Sequence, residues 1–294
     1  MSAGLAKIKR RISSIESTKK ITNAMELVSS VKLKRRRKAM DNTIEYLKMM
    51  SDIISDCFKG LDENGDHLSR LLKPCPTGKG VLYLVITSNM GLCGGYNYNV
   101  IKYLNTQIKK GDEIMMIGTK GLVKFKNKDE YLINTEEVDV LDHFDFGKLS
   151  RLEKKLSDIY RSGKYTSIKL IYTKYVNSIT FKPQTVQILP VVNLVDNNGD
   201  KKEENKNEFP PIYAPNRNEV FKLLVPQYLN TLLFEKFEEA MVCEEGSRRN
   251  AMENATDNAE DLQSELTLTF NKARQAAITN SIIEIMSGQA AEKE

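Results

Sequence analysis

The segment Thr87-Ser-Asn-Met-Gly-Leu-Cys-Gly-Gly-Tyr-Asn97 holds residue types that could do chemistry of two kinds. A glycine-rich stretch between a strand and a helix can cradle phosphate with backbone N–H groups. Its spacing, however, matches neither G-x-G-x-x-G nor the P-loop pattern, and no lysine stands where a phosphate would need one. It therefore reads as a tight turn that lets strand and helix pack closely. Cys93 would be a nucleophile only beside a base, and neither histidine, His67 or His143, is near it in sequence. A buried structural thiol is the reading that fits. Cys57, Cys75, Cys93 and Cys243 form no C-x-x-C pair, so spacing assembles no metal site. Their scatter fits a reducing compartment.

Two further groups invite contact rather than catalysis. Lys32, Lys34, Arg35, Arg36, Arg37 and Lys38 form a basic run that covers every face of a helix. It suits a solvated surface or an acidic protein partner; nucleic acid fits less well, because no aromatic residues interleave for base stacking. Near the other end, Arg274, Gln275, Thr279 and Glu284 offer hydrogen-bonding groups on an amphipathic stretch. No catalytic, cofactor-binding or metal set emerges.

These residues need elements to hold them. Residues 1–40 carry twelve Lys/Arg and two Glu, whereas residues 217–294 carry eight Lys/Arg and fourteen Asp/Glu. A basic first arm and an acidic last arm attract each other. Leu5, Ile8, Ile12 and Ile15 recur at helical spacing; Ile21, Met25 and Val28 repeat it in a shifted phase; Met40, Ile44, Leu47, Ile54 and Phe58 resume it. The pattern predicts a coiled-coil helix over residues 3–59, its phase shift a local change in winding, with Gly60 as C-cap. At 1.5 Å per residue it is ~85 Å long, too long to stand alone in water. A second helix is predicted from Pro226, in its first turn, to about Ala291, with Leu229, Leu232, Leu233, Phe237, Met241, Leu262, Leu266, Phe270, Ala273, Ala277, Ile282 and Ile285 as its apolar pattern.

Between them, Gly80–Ser88 reads as a buried parallel strand, followed by the glycine-rich turn and a helix over 99–109. A strand over 113–118 and a short helix follow, then a helix over 148–162 and two hairpin strands, Tyr165–Val176 and Thr180–Leu189. Residues 196–208 read as a polar loop. The expected fold is α/β: a long antiparallel coiled coil of N- and C-terminal helices plus a Rossmann-like domain with a mainly parallel sheet. The expected segments are 1–60, 61–215 and 216–294. No run approaches the ~20 apolar residues of a membrane span, and the start lacks the apolar core of a secretory signal.

Residues Leu5–Leu33, containing Lys-Lys-Ile-Thr-Asn-Ala-Met25, resemble the N-terminal helix of the gamma subunit of F-type ATP synthases. Gly91-Leu-Cys-Gly-Gly-Tyr-Asn97 resembles that family's strand-to-helix turn. Ala251–Ala259, Asn271–Thr279 and Glu284-Ile-Met-Ser-Gly288 resemble its C-terminal helix. The resemblance implies the non-catalytic central rotor shaft of a rotary ATPase, peripheral to a membrane and expected at the cytoplasmic face of a bacterial plasma membrane rather than the mitochondrial inner membrane. The implied partners are alpha- and beta-type nucleotide-binding subunits in a 3:3:1 head, an epsilon-type small subunit, and a membrane c-type ring or other load. Carried over by match, Met25, Lys32 and Arg35 face acidic lever loops of the catalytic subunits. Arg274, Gln275 and Thr279 form a polar catch, and Glu284, Ile285 and Met286 sit in an apolar bearing. Asn89-Met90 stands where the family has an acidic-basic pair, Ser281 replaces an acidic residue, Gly246 interrupts a helix, and residues 196–208 are an unusual insert. A coiled-coil nucleic-acid-binding protein is the alternative expectation.

Overall fold

The computed structural model describes residues 3–58, 69–72, 75, 78–125, 132–134, 141, 144–191 and 212–291. The expected C-cap at Gly60 and the polar insert at 196–208 lie outside these. The chain divides into two compact units: Met1–Val31 with Arg248–Glu294, and Lys32–Ser247.

The larger unit contains a five-stranded sheet in the order β3-β2-β1-β4-β5. The strands are β1 (Val81–Ile86), β2 (Glu113–Ile117), β3 (Leu132–Asn134), β4 (Ser167–Tyr175) and β5 (Phe181–Leu189). β1 runs parallel to both β2 and β4, and β2 parallel to β3; only β5 is antiparallel, to β4. β1 is apolar throughout because both faces are covered. Its Leu82, Leu84 and Ile86 enter one core, while Tyr83 and Val85 enter the other with Val100, Leu104 and Phe125. The latter come from α3 (Tyr96–Gln107) and α4 (Thr119–Phe125). The opposite core takes Leu149, Leu152 and Leu156 of α5 (Phe146–Arg161), Met50 and Ile54 of α1 (Ala3–Phe58), and Phe221, Leu233 and Phe237 of α6 (Arg217–Ala291). A one-turn helix α2 (Ser69–Leu72) precedes the sheet.

α6 begins nine residues before Pro226, which lies inside it. The starting signal is Asn216, whose Oδ1 accepts from the Glu219 N–H at 2.9 Å. That is a capping arrangement readable in the sequence Asn-x-x-Glu, and it outweighs the one main-chain hydrogen bond a proline forfeits. β3 has only three residues, too few to show a period.

Along α1 the least exposed line runs through Leu5, Ile8, Ile12, Ile15, Lys19, Thr22, Glu26, Ser29, Leu33, Arg36, Met40, Thr43, Leu47, Met50, Ile54 and Cys57. Steps of three and four alternate without a break, so the expected phase shift is absent. Ile21, Val28 and Ile44 lie outside the seam, Ile21 being 60% exposed and Val28 55%. The seam passes instead through polar residues, and the chemistry of the opposite helix explains them. In the smaller unit the Thr22 and Thr256 hydroxyls meet at 2.8 Å, and Lys19 Nζ lies 2.6 Å from Glu260. In the larger unit Arg36 lies 3.4 Å from Glu238. As numbering rises on α1 it falls on α6, so within each unit the helices are antiparallel.

Candidate functional site

The glycine-rich turn sits at the carboxyl end of β1, where neighbouring strands depart to opposite sides and α/β proteins bind ligands. Here its polar groups are turned inward. Asn97 Oδ1 accepts from Ser88 N–H at 2.9 Å, and Asn97 Nδ2 donates to Ser88 Oγ at 2.7 Å and to Cys93 Sγ at 3.2 Å. Ser88 Oγ donates to the Met90 carbonyl at 2.6 Å. Leu92 and Gly94 take positive φ, 61° and 54°, which makes the reversal tight. Cys93, Tyr96 and Cys243 form a closed cluster, and Ser247 Oγ donates to the Cys93 carbonyl at 2.8 Å. The turn is thus packed against α6 through Cys243 and Ser247. Burial pushes the Cys243 thiol up, with the Glu239 charge adding to it, so it stays protonated at neutral pH. Asn89, which departs from the resembling family, ties the turn to the start of α4. Its Oδ1 accepts from Thr119 N–H at 3.0 Å and its carbonyl accepts from Thr119 Oγ1 at 3.0 Å.

The basic run is partly spent within the chain. Lys32 Nζ lies 3.9 Å from Glu245, Arg36 pairs with the buried Glu238, and the Arg37 guanidinium sits 5.3 Å above the Tyr175 ring. Burial raises the Glu238 carboxyl, with Arg36 opposing that rise. Arg35 points to solvent and Met25 is half-buried beside the seam. A seam of buried glutamates facing arginine and lysine was the signal that sequence reading missed, because Glu238 and Glu245 look like surface residues when read singly.

On α6 the seam of the smaller unit runs through Met252, Thr256, Ala259, Gln263, Leu266, Phe270, Ala273 and Ala277. Leu262, assigned to the apolar pattern by spacing, is off it. From Ile278 through Ser287 every residue is exposed. Ile278, Ile282, Ile283, Ile285 and Met286 give this stretch large apolar side chains left uncovered among the described residues, Ile285 being 65% exposed. Arg274, Gln275, Thr279 and Glu284 are also exposed; Gln275 and Thr279, four residues apart, share a face. Met25 belongs to the same unit as these residues, whereas Lys32 and Arg35 belong to the larger unit. Among the described residues no helix is long and apolar enough to cross a membrane, and no three His, Cys, Asp or Glu side chains could hold a metal ion.

A family model described as ATP synthase matches residues 4–291. The chain is 40% identical over 293 residues to the ATP synthase gamma chain of Malacoplasma penetrans, covering 99% of this chain and 100% of that one. This chain belongs to the ATP synthase gamma-chain family. The gamma chain of Alkaliphilus metalliredigens is 37% identical over 295 residues, 100% of both chains. Among solved structures, a chain of the Euglena gracilis mitochondrial ATP synthase superposes with a TM-score of 0.65 at 17% identity, over 99% of this chain and 95% of that one. That likeness supports the gamma-chain fold of two long terminal helices around a mixed sheet.

Proposed function

We propose that this gamma chain is the non-catalytic central shaft of a rotary ATP synthase or ATPase, carrying torque between nucleotide-binding subunits and a membrane-embedded load. The observation that carries the reading is the end of α6. A helix exposing five large apolar side chains over residues 278–287 is not a stable surface for an isolated chain, and it fits inside a socket. The sides of the shaft agree: Ile21, Leu27, Val28 and Val31 face outward from α1 while the seam beside them runs through Lys19, Thr22, Glu26 and Ser29. A shaft that must meet several copies of one partner in turn needs its apolar contacts outside.

The partners are alpha- and beta-type subunits in a 3:3:1 head, an epsilon-type subunit, and a c-type ring or other load. Residues 1–60 and 216–294 are the shaft and 61–215 the outer domain. Met25, Lys32 and Arg35 meet the lever loops, Arg274, Gln275 and Thr279 form the catch, and Glu284 and Ile285 lie in the bearing. The complex is peripheral at the cytoplasmic face of a bacterial membrane. The nucleic-acid alternative loses support from the pairing of Lys32, Arg36 and Arg37 within the chain.

The test is co-expression of the chain with the alpha- and beta-type subunits of its own source. One copy recovered per three pairs, with ATP hydrolysis reduced on deletion of residues 278–294, supports the reading. A chain that purifies with nucleic acid and without those subunits overturns it.

A further inference from the structure

Gly246 stands in the middle of α6, where alanine would hold a helix better. The cause is Phe181, the first residue of β5. A Cβ placed on Gly246 would lie 2.7 Å from Phe181 Cζ and 3.3 Å from Cε1, so the ring rests in a notch against the helix backbone. Tyr175, the last residue of β4, continues the contact, its ring centroid 6.1 Å from that of Phe181. The Arg37 guanidinium of α1 lies 5.3 Å above the Tyr175 ring. The Tyr175 N–H donates to Glu239 Oε1 of α6 at 3.0 Å. One residue beyond Gly246, Ser247 holds the glycine-rich turn through the Cys93 carbonyl. The β4–β5 hairpin is therefore fastened to both long helices at one level.

We propose that Arg37, Tyr175, Phe181 and Gly246 form the joint that passes turning force between the two long helices and the α/β layer, with Phe181 and Gly246 as positioning residues for energy coupling. The inference rests on the shaft reading. Torque loads the boundary between helix and sheet sideways, and aliphatic contacts resist that poorly because burial of apolar area is non-directional. A rigid ring seated in a backbone notch resists sliding along the helix and turning about it. The cation over Tyr175 and the hydrogen bond from its backbone add direction.

The test uses the complete complex in lipid vesicles, with ATP hydrolysis and the ATP-driven membrane potential measured on the same preparation. Wild type, Gly246→Ala, Gly246→Leu, Phe181→Ala and the Phe181→Ala/Gly246→Leu double variant are compared. Hydrolysis is retained, and the potential generated per ATP hydrolysed falls roughly twofold or more in Gly246→Leu and Phe181→Ala. The double variant falls no further than either single one, because both remove one contact. Thermal melting of the Gly246→Ala chain supplies a second readout: the midpoint stays level or drops, where helix propensity alone would raise it. Wild-type coupling in the assembled Gly246→Leu and Phe181→Ala complexes, or a raised midpoint in Gly246→Ala, overturns the joint. A wild-type chain that enters no complex overturns the shaft reading itself, and the joint with it.

Discussion

The hydroxyls of Thr22 and Thr256 lie 2.8 Å apart on facing sides of two antiparallel helices, at a seam position a coiled coil normally gives to leucine or isoleucine. Each hydroxyl has one proton: while Thr22 donates across, Thr256 donates to the Met252 carbonyl at 2.9 Å, and while Thr256 donates across, Thr22 donates to the Lys19 carbonyl at 3.1 Å, so the cross-helix bond persists with its donor exchanged. Thr22→Val leaves Thr256 its local acceptor. The single variant therefore costs only about 1 kcal/mol, and Thr22→Val/Thr256→Val returns to wild type or exceeds it. Urea unfolding of the three chains checks this, and additive losses would show that the two hydroxyls do not act as a pair.

Arg36 and Glu238 make a sharper case, because Glu238 is buried and its carboxyl is raised by that burial despite the arginine. Removing Arg36 leaves the buried carboxylate without its nearest cation. Arg36→Ala is expected to cost about 2 kcal/mol or more, whereas Arg36→Leu/Glu238→Leu is expected to lie within about 1 kcal/mol of wild type. Equal losses in both, measured by thermal unfolding at one pH, would reject the buried pair as the cause.

These pairs show what the sequence could and could not disclose. The two long helices were legible because long stretches nearly free of Gly and Pro, together with an apolar recurrence, survive local ambiguity. β1, β2, β4 and β5 were legible from apolar runs and turn residues. The seam was not, because hydrophobic periodicity does not mark it: α1 sends Ile21 and Val28 outward while Thr22 and Ser29 pack inward. A rule that places apolar residues inside holds for a chain that is its own whole environment. The residues proposed for the catch and bearing carried no physical mark in the sequence beyond amphipathicity and hydrogen-bonding groups, and their roles came from resemblance alone. Gly246 looked like a defect until Phe181 came to lie on it, a relation between residues 65 positions apart that no local pattern encodes.

Glu153 in α5 gives a prediction in pH. Burial raises its carboxyl above the ordinary carboxylate range; the hydrogen bond from Ser157 Oγ at 2.7 Å and the charge of Arg161 oppose the rise. A carboxyl raised on folding contributes stability that is fully present below its unfolded pKa, roughly 4.3, and lost as pH rises through the folded value. Near pH 7 the charged Glu153 is a burden. Glu153→Gln keeps an acceptor for Ser157 and removes the charge, so it is expected to stabilise the chain by up to about 1 kcal/mol at pH 7, with the gain vanishing toward pH 4. Parallel melts of both chains at the two pH values provide the difference, and a gain that grows on acidification would have the wrong sign.

At the end of α6 the expected effects separate stability from assembly. Ile282 and Ile285 are exposed and touch no core, so Ile282→Asp and Ile285→Asp are expected to change the unfolding free energy of the isolated chain by no more than about 0.5 kcal/mol. In the assembled complex the same carboxylates would be pressed into an apolar bearing, where an unpaired buried charge is costly. Retention of the chain in the complex during gel filtration is expected to fall, and ATP hydrolysis to fall with it, while Gln275→Ala on the polar side is expected to leave retention closer to wild type. Undiminished retention of Ile282→Asp/Ile285→Asp would place the end of the helix in solvent and leave its apolar side chains without a socket.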